Sequence, residues 1–378
     1  MKKSLLYTLI IAGILCLTAC QSIEQVSIDY MLPAEITFPN ELKRVAIVNN
    51  MPETPENKLI ASDKKTGKSS TELARRTDYY NGEAKLTTES MAQAIADENY
   101  FDLVVICDSA LRSHDITPRE STLSQSEVQQ LTQELGVDFL IALENVQLSS
   151  LRKVSYMPGW NLYYGTVDAK VYPTLKVYLP NRSAPMATVN CTDSIFWEAT
   201  GDSQTQIFTQ LVPEKELIEQ ASSFAGIAPV KYLVPHWQTA NRYLFKGGSV
   251  NMRDADVCVK EKDWAGAIEL WKKEYERQKG KQKMYAACNI AFGYEIQDSL
   301  DLAYDWAVKA REIAQSMAKD VAKEIKDAAE GIYTSEISYY IMTNSYVNEL
   351  KTRKDGLVRL NAQMKRNNAV SYTHLTLP

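Results

Sequence analysis

The chain has 378 residues, of which 45% are hydrophobic and 24% are charged, and its formal net charge is −5. This length exceeds one typical domain core, so two or three domains are expected. The composition is that of an ordinary globular protein. Its mild acidity argues against a general nucleic-acid binder, and no nucleic-acid partner is predicted.

The first twenty residues resemble the export signal of a bacterial lipoprotein. Lys2 and Lys3 form a positive start, residues 4–15 form a short apolar core, and Leu17-Thr18-Ala19-Cys20 places a small residue before a cysteine. We predict that residues 1–19 are a signal peptide and that Cys20 carries acyl chains through which the protein binds a membrane. Because the signal peptide carries two lysines, its removal changes the net charge from −5 to −7.

The same signal predicts the compartment. Residues 21–24 lack the acidic run that resembles a Bacteroidota surface-export signal, so we expect an outer-membrane lipoprotein of the cell envelope that faces the periplasm. This compartment permits disulfides, but the cysteines beyond Cys20 lack metal-type spacing. Most are expected to be small buried apolar residues, with a disulfide as the alternative. They are Cys107, Cys191, Cys258 and Cys288.

Residues 20–40 are predicted to be the lipidated N-terminus and a tether, since Pro33 and Pro39 favour extended backbone. An α/β domain is predicted for residues 41–212. Its first strand is the β-branched run at 43–49, and the polar residues 52–82 are expected to form a long loop.

The next elements alternate between helix and strand. Apolar spacing predicts a helix over 86–100, and apolar runs predict buried strands at 103–107 and 138–143. Between the two strands, Ser124 and Glu127 form a capping box that starts a helix, and Gly136 ends it. Alternating helices and strands indicate a sheet with at least some parallel pairing.

The pattern then changes to a period of two. Alternate residues are apolar from 167 to 179, a turn follows at 180–183, and residues 187–197 supply the returning strand. We therefore predict an antiparallel hairpin with one solvated face. Pro173 would remove one donor from the ladder, which favours an edge strand or a bulge at that position.

From Glu214 onward the pattern is helical, and residues 213–350 are predicted to form a tetratricopeptide-like domain. Ala267 and Ala303 are 36 residues apart, close to the roughly 34-residue repeat of that class. Its expected core alternates small and aromatic residues and consists of Trp264, Ala267, Trp271, Tyr275, Ala291, Ala303, Trp306 and Ala310.

The last residues have two expected parts. Residues 351–369 are assigned to a C-terminal segment. Residues 370–378 resemble the translation of a transposon end used in sequencing libraries, and an adapter artefact is predicted there. An uninterrupted natural reading frame through these codons would contradict that interpretation.

Catalytic signatures are missing from the sequence. There is no HExxH, paired-cysteine or G-x-S-x-G motif, and Gly67-Lys68-Ser69 lacks the glycine that a phosphate loop needs at position 62. We predict no enzyme, no catalytic residue, no metal and no cofactor. The lysines around Gly67 are interpreted as a solvated loop, with attraction to acidic lipid or glycan as the alternative. The three histidines, which are widely spaced, are His114, His236 and His374.

An aromatic segment is the best candidate for an interaction site. Tyr156, Trp160, Tyr163 and Tyr164 flank a Pro-Gly pair, and such side chains stack on sugars or anchor protein partners. They can equally cover the open edge of the core.

Two resemblances extend these expectations. The order of strands and helices up to Gly136-Val137-Asp138 resembles the small α/β domain of the curli-secretion and flagellar-assembly lipoproteins. Residues 30–350 resemble uncharacterised Bacteroidota lipoproteins with a domain of unknown function. The matching segments are 32–35, 43–49, Val234-Pro235-His236-Trp237 with Arg242, and Asp263-Trp264 with Ala267. That resemblance implies an envelope lipoprotein with a helical-repeat tail and implies no activity.

The sequence thus predicts an α/β N-terminal domain with a mixed sheet, followed by an all-α, tetratricopeptide-like helical-repeat domain. The predicted function is that of a non-catalytic envelope adaptor that binds a protein partner through its helical-repeat domain. The alternative is a lipoprotein that binds or acts on glycan through residues 156–164.

Overall fold

The computed structural model describes residues 23–52, 61–65, 72–113, 115, 122–318, 326, 338–365 and 373–376. The chain forms two compact units. Ala34–His236 make the first, which we call the α/β unit. Met1–Pro33 together with Trp237–Pro378 make the second, which we call the helical unit. The predicted order, an α/β domain followed by an all-α region, is confirmed.

The α/β unit is built on an eight-stranded mixed sheet. Its main path has the order β3-β4-β6-β2-β5, and β7 pairs with β6, β8 and β9. The strands are β2 (Arg44–Pro52), β3 (Ala61–Lys65), β4 (Glu72–Asn81), β5 (Leu103–Arg112), β6 (Phe139–Met157), β7 (Leu162–Tyr178), β8 (Ala187–Asn190) and β9 (Asp193–Gly201). The helices are α1 (Ala84–Asp97), α2 (Gln125–Leu135), α3 (Gln204–Gln210), α4 (Glu214–Ile227) and α5 (Val230–Leu233).

Strand β2 is buried on both faces, which explains its continuous apolar sequence. It runs parallel to both β5 and β6. Val45 and Ile47 enter the large core that also contains residues of α1 and α4, whereas Ala46 and Val48 enter a smaller core with Val128 of α2. Successive side chains of a strand point to opposite faces, so helices cover both sides of this part of the sheet.

Helix α2 begins and ends as its sequence predicts. The Ser124 hydroxyl accepts a hydrogen bond from the Glu127 amide, and the Glu127 carboxylate accepts one from the Ser124 amide. At the other end Gly136 has φ of 65°, in the left-handed region that glycine adopts without strain. The capping box and the glycine therefore fix both ends of the helix.

The prediction of a long loop at residues 52–82 is wrong, because this segment contains β3 and β4. Strand β4 pairs antiparallel with the second half of β6, from Glu72 to Asn81. Its inward positions include Arg76 and Asp78, which form an ion pair at 2.7 Å. Charged residues at inward positions conceal the alternation by which a strand is recognised.

The predicted antiparallel pairing of residues 167–179 with residues 187–197 is present, with the returning segment divided into β8 and β9 on one edge of β7. On its other edge β7 pairs antiparallel with β6, from Tyr178 to Leu162. Pro173 pairs with Val146, next to a register shift between Leu143 and Asn145. The bulge expected beside this proline is therefore present, on the partner strand.

The described part of the helical unit contains the helices given below and a small sheet of order β10-β1-β11. The helices are α6 (Val250–Lys260), α7 (Trp264–Arg277), α8 (Gly280–Ile296), α9 (Leu300–Met317) and α10 (Tyr339–Met364), and the strands are β1 (Ile23–Leu32), β10 (His236–Phe245) and β11 (Thr373–Thr376). Each of these helices packs against the next one along the chain. Helix α8 is central, since every residue from Met284 to Gly293 is buried.

The structure divides the chain at 33/34 and 236/237, whereas the sequence placed boundaries at 40/41 and 212/213. Helix α4 packs against α1 and the sheet, so it belongs to the α/β unit. Strand β10 interrupts the region expected to be entirely helical, and β1 lies within the segment expected to be a tether.

The predicted adapter residues include β11, which pairs antiparallel with β1. Among the described residues, no helix has the length and apolarity to cross a membrane.

Candidate functional site

A cavity of about 240 Å³ lies in the helical unit between β10, α8 and α10. Its wall is mostly apolar and includes Phe245, Phe292, Ile341 and Met342. We call this cavity the helical-unit pocket. The remaining lining residues are Asn241, Arg242, Tyr243, Cys288, Ser338, Thr343, Ser345, Tyr346 and Glu349.

A buried ionic cluster adjoins the pocket and contributes Arg242, Tyr346 and Glu349 to its wall. Arg242 of β10 donates to both carboxylate oxygens of Glu295, at 2.9 Å each, and to Glu349 at 2.7 Å. Tyr346 donates to Glu295 at 2.7 Å, and Arg353 forms a further ion pair with the same carboxylate. Two guanidinium groups and two carboxylates thus balance in charge and join β10, α8 and α10.

The charge states of the cluster follow from this geometry. Burial by itself would raise the pKa of Glu295, but the charge and hydrogen bonds of Arg242, then the charge of Arg353 and the Tyr346 hydroxyl, hold that pKa below its ordinary value. Burial opposes the charged form of Arg242, yet Glu295 raises the pKa of this guanidinium. Burial and the Glu295 charge raise the pKa of Tyr346. The carboxylate is therefore ionised and both phenol and guanidinium keep their protons at neutral pH.

The polar groups of the cluster bind mainly each other. Glu295 accepts from three side chains, and the Arg353 guanidinium also lies over the Tyr30 ring of β1, 4.2 Å from its centroid. Such a network holds the elements around the pocket in place. Chemically, the arrangement suits the binding of an apolar group in a pocket of fixed shape.

The predicted repeat core lies in or beside the helical-unit core. Ala267, Trp271, Ala291, Ala303 and Ala310 are buried. The other three aromatic residues are partly buried and make edge contacts: Trp264 lies 5.6 Å from Phe292, and Tyr275 lies 4.9 Å from Trp306, between ring centroids.

The aromatic segment lies at the tip of the β6–β7 hairpin. Trp160 is 74% exposed. Tyr156 and Tyr163 have ring centroids 5.2 Å apart, and Tyr163 also packs against the large core of the α/β unit. The Tyr164 hydroxyl donates to Glu198 at 2.5 Å. The Trp160 ring is therefore exposed to solvent, whereas the three tyrosines make contacts within the protein.

Of the other described residues named from the sequence, Cys288 lines the helical-unit pocket, whereas His236 and the remaining cysteines do not. Cys107, Cys191, Cys258 and Cys288 are all free thiols, and Cys288 lines the pocket. His236 starts β10, and burial lowers the pKa of its imidazole. Cys20, His114 and Gly67-Lys68-Ser69 lie outside the described residues. Within the described residues, no group of three His, Cys, Asp or Glu side chains could hold a metal ion.

A second buried carboxylate, that of Glu144, was also not predicted from the sequence. Glu144 lies at the bulge where β6 changes partners and accepts from Tyr178 at 2.7 Å and from Asn50 at 2.8 Å. Burial raises the pKa of Glu144, and the two hydrogen bonds oppose that rise. The available signal was a glutamate inside an apolar strand run, Phe139–Leu143 followed by Glu144.

Two family models match the chain. The model described as "Domain of unknown function (DUF8603)" matches residues 42–245, which is more than half of the chain. The model described as "Domain of unknown function (DUF6340)" matches residues 253–352, from α6 into α10. No curated protein and no solved structure is significantly similar to the chain. The chain therefore belongs to the DUF8603 family, with a DUF6340 domain following it.

Proposed function

We propose that the protein is a lipid-anchored adaptor of the cell envelope that binds an apolar segment of a partner protein in the helical-unit pocket. The observation that carries this proposal is the combination of an apolar wall with the buried ionic cluster. Preorganised apolar pockets with a few fixed polar groups are typical binding sites for side-chain anchors. The proposal involves no catalytic step and no cofactor.

The helix arrangement supports a repeat-type binding unit. Helices α7 and α9 begin at Trp264 and Leu300, an offset of 36 residues, and Ala267 and Ala303 take the same position in the two helices. Connections of two or three residues join α6 to α7, α7 to α8 and α8 to α9, which favours antiparallel neighbours. We therefore propose a tetratricopeptide-like arrangement, a class that binds partner segments.

The membrane attachment rests on the N-terminal sequence. We propose that Cys20 is acylated and that the protein is a Bacteroidota outer-membrane lipoprotein facing the periplasm. Radiolabelled palmitate should enter the wild-type protein and not a Cys20→Ala variant. Label retained by the variant would contradict acylation at this residue, and prompt degradation by protease added to intact cells would contradict the periplasmic orientation.

Site-specific photocrosslinking in living cells tests the adaptor proposal. A photoreactive phenylalanine analogue replaces Met342 in the pocket or, as a control on the same helix, Val358, which is 81% exposed. We expect a discrete protein adduct at 342 and not at 358, and its loss when Ile341→Glu places a charge beside the pocket. Identical adducts at both positions, or an adduct that survives Ile341→Glu, would contradict the proposal.

The glycan alternative is favoured by one observation, the 74% exposure of Trp160. An exposed indole at a hairpin tip can stack on a sugar ring. Saturable binding of isolated envelope glycan that is lost in Trp160→Ala, and kept in Phe196→Ala, would favour it. Phe196 is a suitable control because it is 55% exposed in the same unit.

A further inference from the structure

The small sheet of the helical unit has β10 at one end. Its order is β10-β1-β11, so among the described strands β10 has a neighbour on one side only. The free edge of an outer strand carries N–H and C=O groups that no strand pairs. The residues beside this edge therefore decide what can bind there.

Two side-chain contacts show how β1 and β10 pair. The Ser27 hydroxyl donates to the Asn241 side-chain oxygen at 2.9 Å, and the Thr239 hydroxyl donates to Asp29 at 2.6 Å. A step of two residues forward on β1 is thus a step of two residues backward on β10, so the pair is antiparallel. In such a pair, side chains approach most closely at positions whose backbone groups point away from the neighbouring strand. Asn241 and Thr239 are at positions of this kind.

Asn289 of α8 shows the same direction at the end of β10. Its side-chain amide donates to the Phe245 carbonyl at 2.7 Å, and its side-chain oxygen accepts from the Phe245 amide at 3.0 Å. One side chain thus takes the place of a neighbouring strand at Phe245. Because the backbone groups of every second residue point to the same edge, those of Tyr243 and Asn241 point to this edge as well.

The helical-unit pocket lies along this free edge. Asn241, Tyr243 and Phe245 are alternate residues of β10 and line it together with residues of α10. Asn289 covers the edge at Phe245, and the Asn241 carbonyl accepts from the Arg242 guanidinium at 3.2 Å. Between these two positions, the N–H and C=O groups of Tyr243 face the pocket.

A molecule that fits this site has to offer a hydrogen-bond donor and an acceptor beside an apolar wall. A helix does not, because its backbone groups bond within the helix. An extended peptide presents both groups at every second residue, and its side chains alternate between two faces. One set of these side chains then lies against Phe292, Ile341 and Met342, so this set has to be apolar.

We propose that the partner binds in the helical-unit pocket as an added β-strand. An extended segment of the partner pairs with β10 at Tyr243 and directs alternate apolar side chains towards α8 and α10. This inference rests on the proposed function, which gives the pocket a protein partner but not the conformation of that partner. The segment that binds should therefore alternate apolar and polar residues.

Photocrosslinking from position 342 tests this mode of binding. The test variant is Tyr243→Pro, which removes the amide hydrogen that points to the free edge. Proline is tolerated on an outer strand where the N–H faces away from the neighbouring strand, so pairing with β1 is kept. One control is Tyr243→Val, which loses the ring and keeps the N–H. The other is Thr239→Pro, which removes an N–H of the same edge outside the pocket lining.

We expect Tyr243→Pro to lower the yield of the adduct by about ten-fold or more relative to Tyr243→Val, because a partner carbonyl loses its donor. Thr239→Pro should change the yield by less than about three-fold. Equal yields in Tyr243→Pro and Tyr243→Val, or equal decreases in the two proline variants, would overturn the added strand. Absence of an adduct in the wild-type background would instead overturn the proposed function, and the added strand with it.

A second measurement decides the proposal if circular dichroism shows that Tyr243→Pro does not fold. The partner segment in the wild-type adduct is identified by peptide mass spectrometry and synthesised with N-methyl groups on one or the other alternate set of its amides. One of these two peptides should bind the wild-type protein as the unmodified peptide does, and the other roughly ten-fold or more weakly, since only one set of amides faces β10. Equal affinities of the two N-methylated peptides would overturn the added strand.

Discussion

Arg242 and Glu295 form a two-bonded ion pair in which the arginine side chain is 4% exposed and the glutamate side chain is not exposed at all. The residues are 53 positions apart and lie on β10 and α8. Removing one partner of a buried pair leaves the other charge without compensation, which costs far more than the pair contributes in net terms.

We expect Arg242→Met to lower the free energy of unfolding by about 3–5 kcal/mol. Urea unfolding followed by circular dichroism measures this change. The control is Glu269→Gln, which breaks the exposed ion pair between Glu269 and Lys272 and should cost less than about 1 kcal/mol. Equal losses in the two variants would contradict the role given to the buried cluster.

The same cluster predicts sensitivity to acid. The folded-state pKa of Glu295 lies below the ordinary value of 4.5, so the folded state favours the ionised carboxylate. Its contribution to stability is present above the ordinary pKa and is lost as the pH falls through the lower folded value. The stability difference between wild type and Glu295→Gln should therefore shrink between pH 6 and pH 3 in urea titrations, and a constant difference would count against this explanation.

Two tryptophans provide a contrast between core and surface. Trp271 is 1% exposed in the helical-unit core, and Trp160 is 74% exposed at the hairpin tip. We expect Trp271→Ala to cost about 3–5 kcal/mol of unfolding free energy and Trp160→Ala to cost less than about 0.5 kcal/mol. Chemical denaturation of both variants measures these changes in unfolding free energy. A large decrease in Trp160→Ala would mean that the indole supports the fold.

Helices α1 and α4 approach closely at a glycine. A Cβ atom on Gly226 would lie 2.2 Å from the carbonyl oxygen of Thr87 and 2.9 Å from the Met91 amide nitrogen. Because these are backbone atoms, Gly226→Ala should lower the unfolding free energy by about 1–3 kcal/mol, despite the usual gain from alanine in a helix. Gly159→Ala is the control, since no atom lies within 4 Å of the position that its methyl group would take. A neutral Gly226→Ala would show that the helices can separate at little cost.

The free thiols should differ in reactivity. Cys288 is buried, and burial raises its pKa to about 12, so almost no thiolate forms at pH 8. Cys107 and Cys258 are partly exposed. Iodoacetamide should label Cys107 and Cys258 of the native protein before Cys288, as measured by peptide mass spectrometry. In urea the three cysteines should be labelled at similar rates. Early labelling of Cys288 would indicate that the helical-unit pocket opens.

Local signals explain why much of the α/β unit could be predicted. Strand β2 is a continuous β-branched run because helices cover both of its faces, and α2 carries its start and stop signals in Ser124, Glu127 and Gly136. Strand β7 shows a period of two because one of its faces is solvated. Each of these patterns depends on neighbours in sequence.

The missed features depend on residues that are distant in sequence. Glu295 meets Arg242 across 53 positions and Arg353 across 58, so no local pattern marks the cluster. Strand β4 places Arg76 and Asp78 at inward positions, which hides its alternation.

Strand β1 has a consequence for the order of folding. Its neighbour β10 follows the whole α/β unit in the chain. Because domains generally fold as units, the α/β unit can fold while β1 still lacks its partner. Pairing of β1 with β10 therefore closes a loop of about two hundred residues that contains an entire folded unit.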